Sequence, residues 1–223
     1  MANYRLKIID KAPVTHDVNR YRLEKPRGFT FEPGQATEVS LLKAGWEAEK
    51  RPFTFTCLPS DNYLEFIIKS YNGHEGVTKR LGEAKVGDEL EIGDPWGTIS
   101  FKGEGVFIAG GAGITPFIAI LRFLRKKNRL GTSQLIFANK TNDDIILYEE
   151  LKAILGSKFD NIISDQKDTA YDKGLIDKGY LKSKIHHFND QHFYVCGPNG
   201  FMKAVMGNLK ELGASPDALV FEK

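Results

Sequence analysis

At 223 residues, with 41% hydrophobic and 27% charged residues, the chain has room for two domains of about 100 residues and the composition of an ordinary globular protein. A formal net charge of +2 does not suggest a nucleic-acid binder. The two cysteines, Cys57 and Cys196, and the five histidines show no metal-ligand spacing, so no metal site is expected and a zinc or iron–sulfur protein is excluded. In chain order, the first hundred residues read as short strands. Tyr4, Leu6 and Ile8 alternate with polar neighbours, as do Thr37, Val39 and Leu41, then Phe53, Phe55 and Cys57, then Leu64, Phe66 and Ile68, then Leu90 and Ile92. Turn residues separate them (Pro33-Gly34, Asp61-Asn62, Asn72-Gly73, Gly87-Asp88), and period two with such turns predicts an antiparallel β-barrel, whose closure removes exposed edges.

From Gly105 the period changes. Val106–Ala109 is a continuous apolar run, the mark of a strand covered on both faces. A helix follows, with Thr115 as its expected cap, Pro116 in its first turn and Phe117, Ile120, Leu121 and Leu124 as one stripe. Further strands are expected at Leu135–Ala138, Ile162-Ile163 and Phe193–Val195. Helices are expected around Leu147–Leu155 and over Phe201–Leu212, the last ending at Gly213. Strand–helix alternation predicts a parallel α/β domain. The expected division is residues 1–102 and 103–223, with Lys102-Gly-Glu-Gly105 as a short linker.

No signal-peptide core opens the chain, and the uncharged stretch 105–121 is broken by glycines and Pro116. A cytoplasmic protein without a transmembrane span is therefore expected, and a reducing compartment suits two widely spaced cysteines better than a disulfide.

Three segments carry chemistry. Gly110-Gly-Ala-Gly113 lies between an apolar strand and a helix, where glycines and unpaired helix N–H groups suit a phosphate; a tight turn without a ligand is the alternative. Cys196-Gly197-Pro198 repeats the strand–turn–helix arrangement, and in an open α/β sheet both turns face one crevice. Arg51-Pro52-Phe53-Thr54 offers a guanidinium fork, a flat ring and a hydroxyl at a strand start.

Together, and in this order, Arg51-Pro-Phe-Thr54, Gly110-Gly-Ala-Gly-Ile-Thr-Pro116 and Cys196-Gly-Pro-Asn-Gly200 resemble the motifs of the ferredoxin–NADP reductase superfamily. That resemblance implies an FAD-binding barrel (FMN being the less expected flavin) followed by an NAD(P)-binding α/β domain. It implies a flavin-dependent NAD(P)H oxidoreductase that passes electrons to a separate acceptor. Flavin contacts would come from Arg51, Pro52, Phe53, Thr54, Ile68 and Lys69, and from Gly76, Val77 and Thr78, which resemble a phosphate-cradling helix start. Nucleotide contacts would come from Gly111, Gly113, Thr115, Pro116, Ser164, Asp165, Cys196, Gly197 and Pro198. Thr54, Cys196 and Glu222 would lie nearest the chemistry. The chain has Phe53-Thr54 where many relatives have Tyr-Ser, and no terminal aromatic residue after Phe221-Glu222-Lys223. Asp165, where NADPH-specific relatives carry Arg, implies a preference for NADH.

The implied acceptor is a small redox protein, ferredoxin or flavodoxin. Two basic clusters are open as its docking patch: Arg122, Arg125, Lys126, Lys127 and Arg129, or Lys7, Arg20, Arg22, Lys25 and Arg27. A free-flavin reductase, an electron-transfer subunit and a regulatory module without turnover are the alternatives. The oligomeric state is left open.

Overall fold

The computed structural model describes residues 3–71, 73, 75–97, 99–215 and 219–221. Six antiparallel strands form the first unit: β1 (Tyr4–Pro13), β2 (Val18–Glu24), β3 (Ala36–Leu41), β4 (Arg51–Thr54), β5 (Tyr63–Lys69) and β6 (Glu89–Ile92). Their spatial order is β4-β3-β6-β1-β2-β5. The edge strands β4 and β5 meet just past Thr54, where the Thr56 N–H donates to the Glu65 carbonyl at 2.9 Å, so the sheet nearly closes into a barrel. Alternation drives this closure. Leu6, Ile8, Tyr21, Leu23, Val39, Leu41, Leu64, Phe66, Ile68, Leu90 and Ile92 all point inward and are buried. Each such side chain contributes about 1.5–3 kcal/mol by leaving water.

Helix α1 (Val77–Glu83) plugs the barrel with Val77 and Leu81. Its C-terminal carbonyls, which lack partners inside the helix, are taken up by barrel side chains. The Tyr21 hydroxyl donates to the Leu81 carbonyl at 2.7 Å, and the Lys11 ammonium donates to the carbonyls of Gly82 and Ala84 at 2.6 and 2.8 Å.

The second unit is a six-stranded, all-parallel sheet. Its elements are β7 (Gly105–Gly110), α2 (Thr115–Lys126), β8 (Gln134–Asn139), α3 (Tyr148–Leu155), β9 (Phe159–Ile163), β10 (Asp172–Lys173), α4 (Lys178–Lys184), β11 (His192–Cys196), α5 (Asn199–Glu211) and β12 (Leu219–Phe221). The strand order is β10-β9-β8-β7-β11-β12. The chain therefore leaves β7 toward one side and later returns to pair β11 on the other, and the carboxyl ends of β7 and β11 form a topological switch point. Both faces of the sheet are covered, which explains the uninterrupted apolar run of β7.

The two units share a core. Val18 and Ile67 from the barrel pack in one cluster with Ile99, Ile114, Phe117, Ile120, Cys196 and Val220. The connecting segment is fixed as well. The Tyr194 hydroxyl accepts from the N–H groups of Lys102 and Gly103 and donates to the Gly103 carbonyl at 2.8 Å.

One local expectation is corrected. Thr115 does not cap α2. It is the first residue of the helix, and its hydroxyl donates back to the Ala112 carbonyl at 3.1 Å, because Gly111–Ile114 forms a 3-10 turn that runs straight into the helix. Pro116 does occupy the first turn. Gly213, with φ +94°, follows α5 as expected, and the Ala214 N–H returns to the Leu209 carbonyl at 3.0 Å.

Candidate functional site

The carboxyl ends of β7, β9 and β11 bring three predicted segments, 110–116, 164–165 and 196–198, to one edge of the sheet, with 139–144 beside them at the end of β8. Two glycines decide the geometry there. Gly111 has φ +51°, and a Cβ built on it would meet nothing within 4 Å, so the backbone turns at no steric cost with its outer side open. Gly113 is the opposite case. A Cβ there would stand 2.4 Å from the Cys196 carbonyl oxygen and 2.6 Å from the Gly197 Cα, so the two turns touch backbone to backbone. Cys196 is 7% exposed beneath this contact, and Pro198 is the N-cap of α5.

Neither α2 nor α5 has a side-chain cap or an acidic residue in its first turn. The leading N–H groups of α5 thus present partial positive charge to the crevice, donors that fit a pyrophosphate. At α2 the Thr115 N–H is taken by the Ala112 carbonyl and Pro116 has none, so the glycine backbone of the 111–114 turn faces the crevice there instead. At the carboxyl end of β9, Ser164 and Asp165 are exposed, and the Ser164 hydroxyl donates to the Asp165 carboxylate at 2.6 Å. The N–H of Asp165 is held by the Lys140 carbonyl at 2.8 Å, which ties this corner to the end of β8.

On the barrel side, Arg51 and Pro52 are exposed at the start of β4, and Phe53 and Thr54 are half-buried. The Arg51 guanidinium donates to the neighbouring Lys50 carbonyl at 2.7 Å and pairs with Glu49 at 3.5 Å, its one ion pair among the described residues. Half exposed and held only by its chain neighbours, it can turn to an anion. Gly76 is the N-cap of α1, without a side-chain cap and without acidic residues in the first turn; Val77 is buried and Thr78 half-buried beside it. These donors fit a flavin with a phosphate group.

Two predicted contacts are qualified by the structure. The Ile68 side chain is 1% exposed and packs inside the barrel, which leaves only its backbone for a ligand. The Lys69 ammonium lies 2.8 Å from Asp17 and 3.6 Å from Asp144, so it spans the two units. Burial would lower its pKa, but the hydrogen bond and charge of Asp17 outweigh this and raise it. His16 lies beside the same carboxylates, 3.6 Å from Asp17 and 3.9 Å from Asp144. Glu222 lies outside the described residues.

The structure also shows a group that sequence reasoning missed. Glu65, 1% exposed within β5, accepts from Arg122 (2.6 Å), Arg22 (3.0 Å) and the Thr56 hydroxyl (3.0 Å). Arg122 in turn forks onto Glu150 at 2.5 and 2.8 Å. Burial pushes the Glu65 carboxyl up, but the charge of Arg122 and these hydrogen bonds outweigh it and hold the group below its ordinary value. A single carboxylate within the apolar run Leu64-Glu-Phe-Ile-Ile68 was the available signal. Both proposed docking clusters shrink as a result. Arg122 and Arg22 belong to this network, Arg20 pairs with Asp10 at 2.8 Å, and Lys25 donates to the Pro59 and Asp61 carbonyls. The surface-patch assignment of Arg122 is thereby corrected: its side chain is only 20% exposed. Cys57 and Cys196 are both buried, and burial pushes the Cys57 thiol up to about 12.

Comparison with known proteins places both units in known families. Residues 5–101 match the oxidoreductase FAD-binding domain family, and residues 107–207 match the oxidoreductase NAD-binding domain family. The chain is 30% identical to an NADH-cytochrome b5 reductase 2 of Chaetomium globosum, over 95% of this chain and 70% of that protein. It is 25% identical to the reductase component of propane 2-monooxygenase from Mycolicibacterium goodii, over 98% of this chain and 66% of that protein, so it spans just under two thirds of that relative's length. Among solved structures, the CS-b5R domains of human Ncb5or in the NAD+ form superpose with a TM-score of 0.87 at 25% identity, covering 100% of this chain and 70% of that one. No helix among the described residues is long and apolar enough to cross a membrane. An antiparallel barrel matched as FAD-binding, joined to a parallel sheet matched as NAD-binding, makes this chain a member of the ferredoxin–NADP reductase superfamily.

Proposed function

We propose that the chain is a flavin-dependent NAD(P)H oxidoreductase that passes electrons from the nicotinamide nucleotide through FAD to a separate redox acceptor, with its domains divided at residues 102 and 103. The observation that carries this reading is the contact of the Gly110–Ile114 and Cys196–Pro198 turns at the switch point, beside a shared core with the barrel. The chemistry supplied by the cofactors when bound is hydride transfer from reduced nicotinamide to flavin, followed by electron release to the acceptor.

The chain's own residues bind, orient and exclude water. Arg51 and the α1 start at Gly76, Val77 and Thr78 hold the flavin phosphates. Phe53 and Pro52 flank the ring system, Thr54 directs its hydroxyl to it, and the backbone at Ile68 and Lys69 lines the same site. Gly111, Gly113, Thr115 and Pro116 shape the pyrophosphate turn; Cys196, Gly197 and Pro198 position the nicotinamide end, with Glu222 as a further candidate near it. Packing of Ile114 and Cys196 against Val18 and Ile67 keeps water from the junction.

The acceptor in this reading lies outside the residues of this sequence, whose two cysteines are buried apart and offer no set of cluster ligands. Relatives named as a monooxygenase reductase component and a cytochrome b5 reductase support a protein acceptor over a small molecule such as free flavin. Asp165 favours NADH, since its exposed carboxylate would repel a 2′-phosphate and accept from ribose hydroxyls instead. The deciding experiment is anaerobic titration of the purified protein. A yellow protein that bleaches with NADH supports the reading, and a colourless one, or one that never bleaches, ends it. Asp165→Ser should raise kcat/KM for NADPH about tenfold, the scale of one charge contact near 1.4 kcal/mol; an unchanged ratio would move the selectivity to Lys140 or Lys167.

A further inference from the structure

The helix that starts at the nucleotide turn is bolted to the barrel two turns later. Arg122 lies seven residues beyond Thr115, about 10 Å along α2. Its guanidinium uses four N–H···O contacts, to the Thr56 carbonyl (2.8 Å), Glu65 (2.6 Å) and both carboxylate oxygens of Glu150 (2.5 and 2.8 Å). Thr56 and Glu65 are the pair that closes the barrel between β4 and β5, while Glu150 lies on α3 of the other unit. Arg122 thus joins three elements at the seam. Thr56 also stands only two residues beyond Thr54.

We propose that Arg122 is a positioning residue for hydride transfer: it sets the distance between the nucleotide turn at the head of α2 and the Thr54 segment of the barrel. This inference rests on the flavin–nicotinamide reading above. A shift of about 1 Å in such a junction is enough to cost about a hundredfold in rate, so a rigid bidentate fork suits the task better than a flexible single-point contact. Lysine would keep the charge beside Glu65 but could not reach Thr56, Glu65 and Glu150 together. A purely structural ion pair is the competing account, and it predicts lost stability with unaltered chemistry.

Two variants separate these accounts. Arg122→Lys removes the fork, and Glu150→Gln loosens one side of it while the buried Glu65–Arg122 pair stays intact. In each, stopped-flow reduction of the bound flavin by NADH should slow by about tenfold or more. The long-wavelength charge-transfer absorbance of the nucleotide complex should weaken, while FAD occupancy and the Kd for NADH stay within about twofold. Wild-type rates and a full charge-transfer band in Glu150→Gln would overturn the proposal, whatever happens to its Tm. Loss of flavin from both variants would also overturn it, because the network would then only hold the barrel shut. If Arg122→Lys does not fold, Glu150→Gln decides. An arm without turnover uses the apo-protein with spin labels at Ala44→Cys and Lys182→Cys, both exposed, while the native cysteines are buried. Glu150→Gln should broaden the interdomain distance distribution, and an unchanged width would refute the proposal. If wild-type protein binds no flavin, the functional reading has failed, yet this last measurement still tests the latch.

Discussion

The barrel and the parallel-sheet domain build their halves of the site from different materials. In the barrel, the groups offered to a ligand are side chains on regular structure: Arg51, Phe53 and Thr54 along β4, and Thr78 in α1. In the parallel domain they are mostly backbone, at Gly111–Ile114 and Cys196–Pro198, where two turns touch without intervening side chains. The first half should therefore respond to changes of chemistry and the second to changes of volume.

The largest expected effect tests the volume half. Gly113→Ala would place a methyl 2.4 Å from the Cys196 carbonyl oxygen, and neither backbone can yield without parting the two turns. A cost of about 3 kcal/mol in nucleotide binding or stability is expected from such overpacking. Isothermal titration with NADH and thermal melting of the FAD-loaded variant check this. Wild-type values in both would show that the turns move apart freely and that the backbone contact is not a constraint.

Arg51→Ala tests the chemistry half. The side chain is 52% exposed and supports no core contact, so folding should be unaffected. Flavin affinity should fall by about 2 kcal/mol, the scale of a charged hydrogen bond. Fluorescence titration of apo-protein with FAD and with riboflavin sharpens the assignment: the loss should appear with FAD and vanish with riboflavin, which has no phosphate.

A smaller effect concerns the seam between the halves. Because the folded-state pKa of Glu65 is depressed, its contribution to stability is present above its ordinary value of 4.5 and is lost as pH falls through the lower folded value. Glu65→Gln should therefore lower the urea midpoint at pH 7, and the gap to wild type should narrow below about pH 4.5. Asp88, Glu104 and Asp144 are also depressed and add acid sensitivity common to both proteins. A gap that stays constant down to pH 3 would mean that Glu65 is not ionised within the seam.

Local pattern made much of the fold legible. Strict alternation revealed β1, β3, β5 and β6, and the apolar run before Gly110 revealed β7. Strand β2 was missed because Val18, Tyr21 and Leu23 break the two-residue period at their start, and only pairing with β1 and β5 makes a strand of them. Helix α4 buries a single residue, Leu181, and carries no stripe to read; the Asp177 carboxylate starts it by accepting from the Tyr180 N–H at 2.7 Å. Strand β12 is three residues long and exists because β11 offers it an edge.

The amino-acid sequence by itself determined the elements and the three motifs, because periodicity, glycine spacing and turn chemistry act between residues close along the chain. Tertiary structure alone decided which charges are free. Arg122 reads as one of five basic residues at a helix end, yet folding carries it to Glu65, 57 residues away, and the Lys69 ammonium meets Asp144 from the other unit. Charge pairing over such separations leaves no periodic trace. An isolated carboxylate in an apolar strand shows that burying the charge requires a cationic partner, but only the packed domains determine which arginine supplies it.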